Sequence, residues 1–208
     1  MGEAGGEVGV SGESGELVVE AGEVREVSGE GVWSVSSCKA GYGVEAVVDG
    51  STETYWQSDG AQPHLLSVSF PRKTPLAFIA LYVDFKADES YTPSRIGVRV
   101  GSQSGDLREL AQWSLDAEPS GWHTKALLDP DTGAPVRAFM LQLAVHQNHQ
   151  NGRDTHIRQV KVFSPLANAQ KAAIYRTLKC SGGEKEEEYV YETPKFTTKE
   201  MLQYTTIR

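Results

Sequence analysis

The stretch HQNHQNGRDTHIR, residues 146–158, holds the densest set of side chains that could do chemistry in this chain. It contains three of the five histidines, two asparagines, arginine and an aspartate. Such residues ligate metals, transfer protons or form hydrogen bonds to a binding partner. Because the stretch could not form a hydrophobic core, three kinds of site compete: a metal centre, a catalytic centre and a recognition surface.

A metal site in this stretch would draw on His146, His149, Asp154 and His156. Histidine and carboxylate are zinc ligands, but this spacing matches no zinc signature, and the loop would have to fold back to gather them. The two cysteines, Cys38 and Cys180, are too few for a four-cysteine site or a disulfide framework. We therefore predict two unlinked thiols, no metal and no cofactor.

A catalytic site would need a nucleophile or a tuned acid and base. The nearest hydroxyl in the stretch is that of Thr155, and the chain contains no G-x-S-x-G or other nucleophile motif. A RING centre needs about eight Cys and His ligands in register, which two cysteines cannot supply. The sequence thus predicts that the chain is not an enzyme.

A recognition loop is the interpretation that the stretch favours. The strand pattern stops at His146 and resumes at Ile157, and loops of this length in a compact β domain are usually functional or disordered. The pair Asn151–Gly152 predicts a tight reversal, since both residue types tolerate positive φ. Arg153 offers a planar donor fork that suits a peptide. The open alternative is a solvated loop with turn-capping side chains.

Two other inter-strand segments carry candidate residues. In DGSTETYWQSDG, residues 49–60, Trp56 is predicted to be a core residue rather than a ligand contact, because tryptophan carries so much apolar area. The Asp59–Gly60 pair predicts a turn. In DESYTPS, residues 88–94, Tyr91 could be an exposed aromatic contact or could pack on the proline of its own loop.

The elements that must position these residues read as short β-strands. Apolar segments separated by turn-rich PRKTP, DESYTPS, SQSGD, DAEPSG and DPDTGAP predict strands at 64–70, 76–85, 95–101, 107–115, 122–128, 138–146 and 157–163, with a possible eighth at 32–37. Seven or eight strands at this spacing predict an all-β fold, either an antiparallel sandwich or a jelly-roll β-sandwich. The one plausible helical piece ahead of them, residues 43–50, is too short to change the class.

Both ends of the chain differ in composition from the strand-rich part. Residues 1–30 hold eight Gly, eight Glu and one Arg, so most of the net charge of −8 lies there and the remainder is nearly neutral. We expect residues 1–23 to be a disordered tail, 166–192 a charged linker or insertion around EKEEE, and 193–208 a C-terminal docking tail. A nearly neutral domain argues against nucleic-acid binding.

Targeting signals are also missing from the sequence. There is no apolar run fit for a signal peptide, no stretch of membrane-spanning length and no N-x-[ST] sequon. We therefore expect a soluble, intracellular protein without a membrane partner. The last residues, Ile207 and Arg208, could be a frayed end or a compact anchor for a groove in a partner.

Three motifs resemble a known family. YWQSDG, DESYTPS and NHQNGRDTH, within a stretch from about Val24 to Pro165, closely resemble the DOC-domain subunits of the anaphase-promoting complex, a multi-subunit ubiquitin ligase. The Asp-Gly turn before a tryptophan is also similar to the wider galactose-binding-like, discoidin-type jelly rolls. The resemblance therefore implies the same jelly roll for residues 24–165 that the strand pattern predicts.

The resemblance implies a non-catalytic substrate co-receptor in the nucleus and cytoplasm. Beside a β-propeller co-activator, it would hold the destruction-box degron of cell-cycle substrates. The residues expected to bind the degron are Asp59, Tyr91, Asn148, His149, Asn151, Arg153, Asp154 and His156. The family's Ile-Arg ending, which docks into a tetratricopeptide-repeat scaffold subunit, corresponds to Ile207 and Arg208.

A rival interpretation is a carbohydrate-binding module of the same fold, with Tyr91, Trp56 and Arg153 around a sugar. The absent signal peptide and sequons, and the Ile-Arg ending, weigh against it. One departure from the family is the length of residues 166–192, which look inserted before the tail. A longer tether does not prevent docking, because loop entropy grows slowly with length.

Overall fold

A computed structural model describes residues 24–115 and 117–166 of the chain. The expected disordered tail at 1–23, the linker at 166–192 except its first residue, and the docking tail at 193–208 lie outside the described residues, as does Cys180. Within the described part, antiparallel strands dominate and helix is confined to one short turn and a few 3-10 turns. The predicted all-β class is confirmed.

Eleven strands are present in the described residues: β1 (Val24–Glu26), β2 (Val32–Val35), β3 (Trp56–Gln57), β4 (His64–Leu76), β5 (Phe78–Asp84), β6 (Pro93–Gly101), β7 (Arg108–Ser114), β8 (Ser120–Ala126), β9 (Val136–Asn148), β10 (His156–Ile157) and β11 (Gln159–Pro165). They form a five-stranded sheet in the order β2-β4-β9-β6-β7 and a four-stranded sheet in the order β1-β11-β5-β8. A two-stranded ladder joins β10 to β3. All eight predicted strands are present, although β4 extends six residues beyond its predicted end and the strand predicted at 157–163 is divided between β10 and β11.

The core lies between the two large sheets. Strand β9 turns Leu141, Leu143 and Val145 inward, and β5 turns Ile79 and Leu81 toward them from the other sheet; all are at most 1% exposed. The residues between them, such as Ala80 and Ala144, are buried as well, so these central strands expose neither face here. The alternating apolar residues that predicted the strands therefore form the core that holds the sandwich together.

Two local predictions were wrong. The segment PRKTP, expected as a connecting turn, lies inside β4 as an irregularity in its pairing with β9, between Ser69 and Thr74. The turn to β5 falls instead at Ala77. The end of the predicted strand 76–85 is a one-turn helix, α1 (Phe85–Asp88), whose first turn Asp84 caps through the backbone N–H of Lys86.

The short helical piece predicted at 43–50 is present as a 3-10 turn at Val44–Val47. Trp56 is fully buried, as predicted, and its indole N–H donates to the Ser37 carbonyl at 2.9 Å. Among the described residues there is no helix of the length and apolarity that a membrane span requires.

Candidate functional site

Three loops meet at the end of the sandwich where β9 finishes. They are residues 49–62, 85–92 and 149–155, and we call them together the loop end. The backbone N–H of His149 donates to the Thr92 carbonyl at 2.9 Å, which ties the third loop to the second. Thr155 exchanges hydrogen bonds of 2.8 and 3.1 Å with Ser58, which ties the third loop to the first.

Carbonyl groups of the 149–155 loop accept hydrogen bonds from side chains of the first loop, of β4 and of β9. Gln62 donates to the Gly152 carbonyl at 3.1 Å, and the fully buried His64 ring lies 2.7 Å from the Arg153 carbonyl. The amide of Asn148 donates to the Asp154 carbonyl at 2.7 Å and to that of Gly152 at 3.2 Å. With its backbone anchored in this way, the loop presents its side chains from a fixed platform.

The reversal in this loop falls one residue earlier than expected. Positive φ occurs at Gln150 (52°) and Asn151 (57°), whereas Gly152 has φ −57°. Glycine is needed at 152 for a different reason: a Cβ there would lie 1.7 Å from the Ser90 carbonyl oxygen. The absence of a side chain at Gly152 therefore lets the 149–155 loop pack directly on the 85–92 loop.

Beside this loop, four aromatic rings stack into a column. Tyr42 and Tyr55 lie 5.0 Å apart between ring centroids, Tyr55 and His156 4.2 Å, and His156 and Tyr91 4.3 Å. The ends of this ring column are exposed, at 37% for Tyr42 and 39% for Tyr91, while His156 is buried. Tyr91 therefore packs on a histidine and remains partly exposed.

The buried carboxylate of Asp88 anchors the middle of the column. It accepts two hydrogen bonds from the Arg158 guanidinium, at 2.8 and 2.9 Å, and one from Nδ1 of His156 at 3.0 Å. Arg158 also donates to the Thr52 carbonyl at 2.7 Å and lies over the Tyr55 ring. One ion-pair network thus connects all three loops to the column.

Burial and hydrogen bonding together determine the pKa of Asp88. Burial alone would raise the pKa of Asp88, but hydrogen bonds from His156 and Arg158 hold that pKa below its ordinary value. Asp88 is therefore an ionised acceptor at neutral pH, so Nδ1 of His156 carries a proton. Burial lowers the pKa of His149, whose ring lies edge-on to Phe85.

The eight residues proposed for degron binding separate by exposure. Asp59, Tyr91, Asn151 and Arg153 are exposed; His149 and Asp154 are half-buried; Asn148 and His156 are buried. Six of the eight belong to the loop end, and Asn148 and His156 flank its third loop as the last residue of β9 and the first of β10. The buried pair contacts the loops rather than solvent, so their part there is to hold the exposed residues in place. Ile207 and Arg208 lie outside the described residues.

The residues of the metal and catalytic alternatives contact neighbouring loops. Within residues 24–115 and 117–166, no group of three or more His, Cys, Asp or Glu side chains could hold a metal ion. His156 is committed to Asp88, and the hydroxyl of Thr155 lies 3.3 Å from the Tyr91 carbonyl, to which it donates. Nδ1 of His156 and the Thr155 hydroxyl are therefore engaged in contacts between the loops.

Residues that organise the site escaped the sequence analysis. They are Tyr42, Tyr55, Gln62, His64, Asp88 and Arg158. Asp88 opens the DESYTPS motif and Arg158 closes the HQNHQNGRDTHIR stretch, so both stood in segments already singled out. Asp88 and Arg158 pair across 70 residues of chain, and no local sequence pattern predicts a contact at that separation.

Solved structures with similar folds are carbohydrate-binding modules. The family 32 module of Clostridium perfringens NanJ, solved with galactose, matches with a TM-score of 0.57 at 16% identity, covering 68% of this chain and 99% of that one. A module of the C. perfringens family 89 glycoside hydrolase, solved with GalNAc-β-1,3-galactose, gives a TM-score of 0.54 at 11% identity, covering 64% and 95%. At such identities the likeness shows the jelly-roll fold alone.

Curated relatives are far more similar in sequence. Anaphase-promoting complex subunit 10 of Homo sapiens is 46% identical over 187 residues, which cover 90% of each chain. The Drosophila melanogaster subunit 10 is 50% identical over 70% of this chain and 73% of its own. Subunit DOC1 of Saccharomyces cerevisiae is 30% identical over 71% of this chain and 59% of its own.

The family model described as anaphase-promoting complex, subunit 10 (APC10) matches residues 9–192. That match extends beyond both ends of residues 24–165, the stretch that contains the three motifs. The motifs that carried the resemblance, YWQSDG, DESYTPS and NHQNGRDTH, all lie within it and together build the loop end. The chain belongs to the family of subunit 10 of the anaphase-promoting complex.

Proposed function

We propose that this chain is a non-catalytic substrate co-receptor, which holds the destruction-box degron together with a β-propeller co-activator of the ligase. The observation that carries the proposal is the loop end, where exposed Asp59, Tyr91, Asn151 and Arg153 stand on loops with an anchored backbone. A fixed polar surface binds an extended peptide without the entropy cost of ordering its own loops.

The side chains of this surface fit an extended peptide. Arg153 presents a planar fork of donors, and the amide of Asn151 both donates and accepts, so the two can pair with peptide backbone and polar side chains. The exposed face of Tyr91 adds a flat apolar contact with little entropy cost. We assign Arg-x-x-Leu recognition mainly to the co-activator and the polar remainder of the degron to this surface.

Weak binding at this surface is sufficient for a co-receptor. When two receptors stand on one platform, the second contact becomes intramolecular, and the apparent affinity rises without any new contact. A slower release of substrate then allows more ubiquitin transfers per encounter. We assign no step of ubiquitin chemistry to this chain, and we place it in the nucleus and cytoplasm with the rest of the ligase.

The C-terminal residues supply the attachment in this proposal. Ile207 and Arg208 dock into a tetratricopeptide-repeat scaffold subunit, and residues 166–192 act as a tether. Deleting both residues should weaken recovery of repeat subunits from native extract relative to the full chain. Equal recovery by both versions would reject the anchor while leaving the degron surface untouched.

The degron surface is tested with Asn151→Ala and Arg153→Ala in the reconstituted ligase. We expect each to lower affinity for a destruction-box substrate about threefold to thirtyfold, in the range of alanine substitutions at interfaces. Ser104→Ala, exposed in the β6–β7 loop at the opposite end, is the matched control and should change nothing. Unchanged affinity in both loop variants would reject the surface.

The sugar-binding alternative has only the fold in its favour, since the similar modules share less than 17% identity with this chain. It therefore enters as an outcome of the same experiments. Saturable binding of galactose that Arg153→Ala abolishes, together with unchanged substrate affinity, would replace the degron proposal by that of a carbohydrate module.

A further inference from the structure

We propose that Asp88 is a positioning residue for degron recognition: by holding His156 and Arg158 together, it fixes the ring column and so the exposed face of Tyr91. This inference rests on the proposed function. Asp88 lies outside the recognition surface, by which we mean the exposed side chains of Asp59, Tyr91, Asn151 and Arg153. Asp88 is only 4% exposed and its carboxylate bonds to His156 and Arg158, so it acts through these partners.

The geometry gives Asp88 a central place. One oxygen accepts from Nδ1 of His156 and from a terminal nitrogen of Arg158, and the other accepts from Nε of Arg158. Three charge-assisted bonds to one buried carboxylate restrict all three side chains to a single arrangement. The network reaches the first loop as well, because Arg158 donates to the Thr52 carbonyl.

The ring column transmits that arrangement to the surface. His156 lies between Tyr55 and Tyr91, with ring planes within 24° and 15° of parallel. Stacked rings at about 4 Å allow little independent rotation, so a displaced His156 releases both tyrosines. Because Tyr91 is 39% exposed, the contact that it offers to a peptide depends on a carboxylate that is itself buried.

The same network also connects to the polar half of the surface. The carbonyl of Tyr91 accepts from the hydroxyl of Thr155, which follows the anchored carbonyls of Arg153 and Asp154. Loss of the column would therefore disturb the 149–155 loop at its last residue. Asp88, at the end of α1, thus links two elements of the recognition surface that are far apart in sequence.

The test combines a structural readout with a binding readout on the full chain. The variants are Asp88→Asn and Arg158→Lys; Asp129→Asn, an arginine-paired aspartate at the opposite end, is the control. In the wild-type protein the ring protons of His156 should be shifted upfield by the two tyrosine faces. We expect Asp88→Asn to remove that shift and Asp129→Asn to retain it.

In the assembled ligase, we expect Asp88→Asn and Tyr91→Ala each to lower affinity for a destruction-box substrate about tenfold. The double variant should lose no more than about twofold beyond either one, because both changes remove the same contact. A general loss of stability would multiply the two losses instead. If Asp88→Asn does not fold, Arg158→Lys keeps the charge without the guanidinium fork and should show the same pattern more weakly.

The inference is overturned if the His156 protons keep their shift in Asp88→Asn or Arg158→Lys, or if the losses multiply. If Arg153→Ala lowers affinity while Asp88→Asn does not, the positioning role fails and the proposed function stands. If Arg153→Ala, Tyr91→Ala and Asp88→Asn all leave affinity unchanged, the degron surface itself is wrong, and the positioning role falls with it.

Discussion

At the loop end of the sandwich, Asp88 holds Arg158 through two hydrogen bonds of 2.8 and 2.9 Å, whereas at the opposite end Asp129 pairs with Arg108 at 3.1 Å. The side chains of the first pair are 3% and 9% exposed, and those of the second are 25% and 57% exposed. The same residue types therefore occupy very different dielectric surroundings.

The reach of the two aspartates differs as well. Asp129 accepts from the backbone N–H groups of Asp131 and Thr132, so it organises the turn to which it belongs. Asp88 joins segments some 70 residues apart. A turn whose hydrogen bonds are all local needs no contact with distant residues. A surface formed by three separate loops needs a buried group that connects them. The loop end therefore depends on a buried long-range ion pair, whereas the opposite end does not.

The largest expected effect is loss of stability in Asp88→Asn. Removing the carboxylate leaves the Arg158 charge buried without a counterion, which costs about 3–5 kcal/mol of unfolding free energy. Chemical denaturation followed by tryptophan fluorescence measures it. The exposed counterpart Asp129→Asn should lie far closer to wild type, and equal losses in the two variants would remove the contrast between the ends.

A smaller effect is expected for Gly152→Ala. The new methyl group would meet the Ser90 carbonyl oxygen, so the two loops must separate at a cost of about 1–3 kcal/mol. Gly105→Ala, whose added methyl would meet nothing within 4 Å, is the control. Thermal unfolding compares them, and a wild-type melting temperature in Gly152→Ala would show that the loops do not pack as described.

Acid should narrow the gap between wild type and Asp88→Asn. Because the pKa of Asp88 is lowered in the folded state, its stabilisation is complete above its unfolded pKa of about 3.9 and is lost as pH falls through the folded value. Unfolding free energies measured from pH 7 down to 3 should converge below about pH 4. A constant difference would mean that folding does not lower the pKa of Asp88.

The smallest effect is expected for Arg108→Gln. Its exposed ion pair with Asp129 is screened by water and salt, and the turn keeps its backbone hydrogen bonds without it. The unfolding midpoint should stay within experimental error of wild type at both 50 mM and about 500 mM salt. A clear destabilisation at low salt would show that the opposite end also depends on its ion pair.

Much of this architecture is readable from local pattern. Alternating apolar residues such as Leu141, Leu143 and Val145 predict strands because each strand buries one face. The pattern failed where structure was short or irregular: the bulged PRKTP segment within β4, and the single turn of α1. Neither is long enough to impose a period of its own.

The site was predictable in location and only partly in detail. The polar stretch and its family motifs indicated the loop end, yet nothing local distinguishes exposed Asn151 from buried Asn148. That distinction comes from β9 continuing two residues beyond His146, and from carbonyls that happen to lie within reach of the Asn148 amide. Long-range hydrogen bonding decides it, and sequence periodicity does not record such bonds.

A photo-crosslinking side chain at Asn151 would test the claim that the loop end contacts the degron. The full chain would be assembled into the ligase with its co-activator and a labelled destruction-box peptide, with the crosslinker at Ser104 as the control. We predict a crosslink to the peptide from position 151 that excess unlabelled peptide removes, and none from position 104. Peptide crosslinks that are absent at 151, or equal at both positions, would contradict the claim.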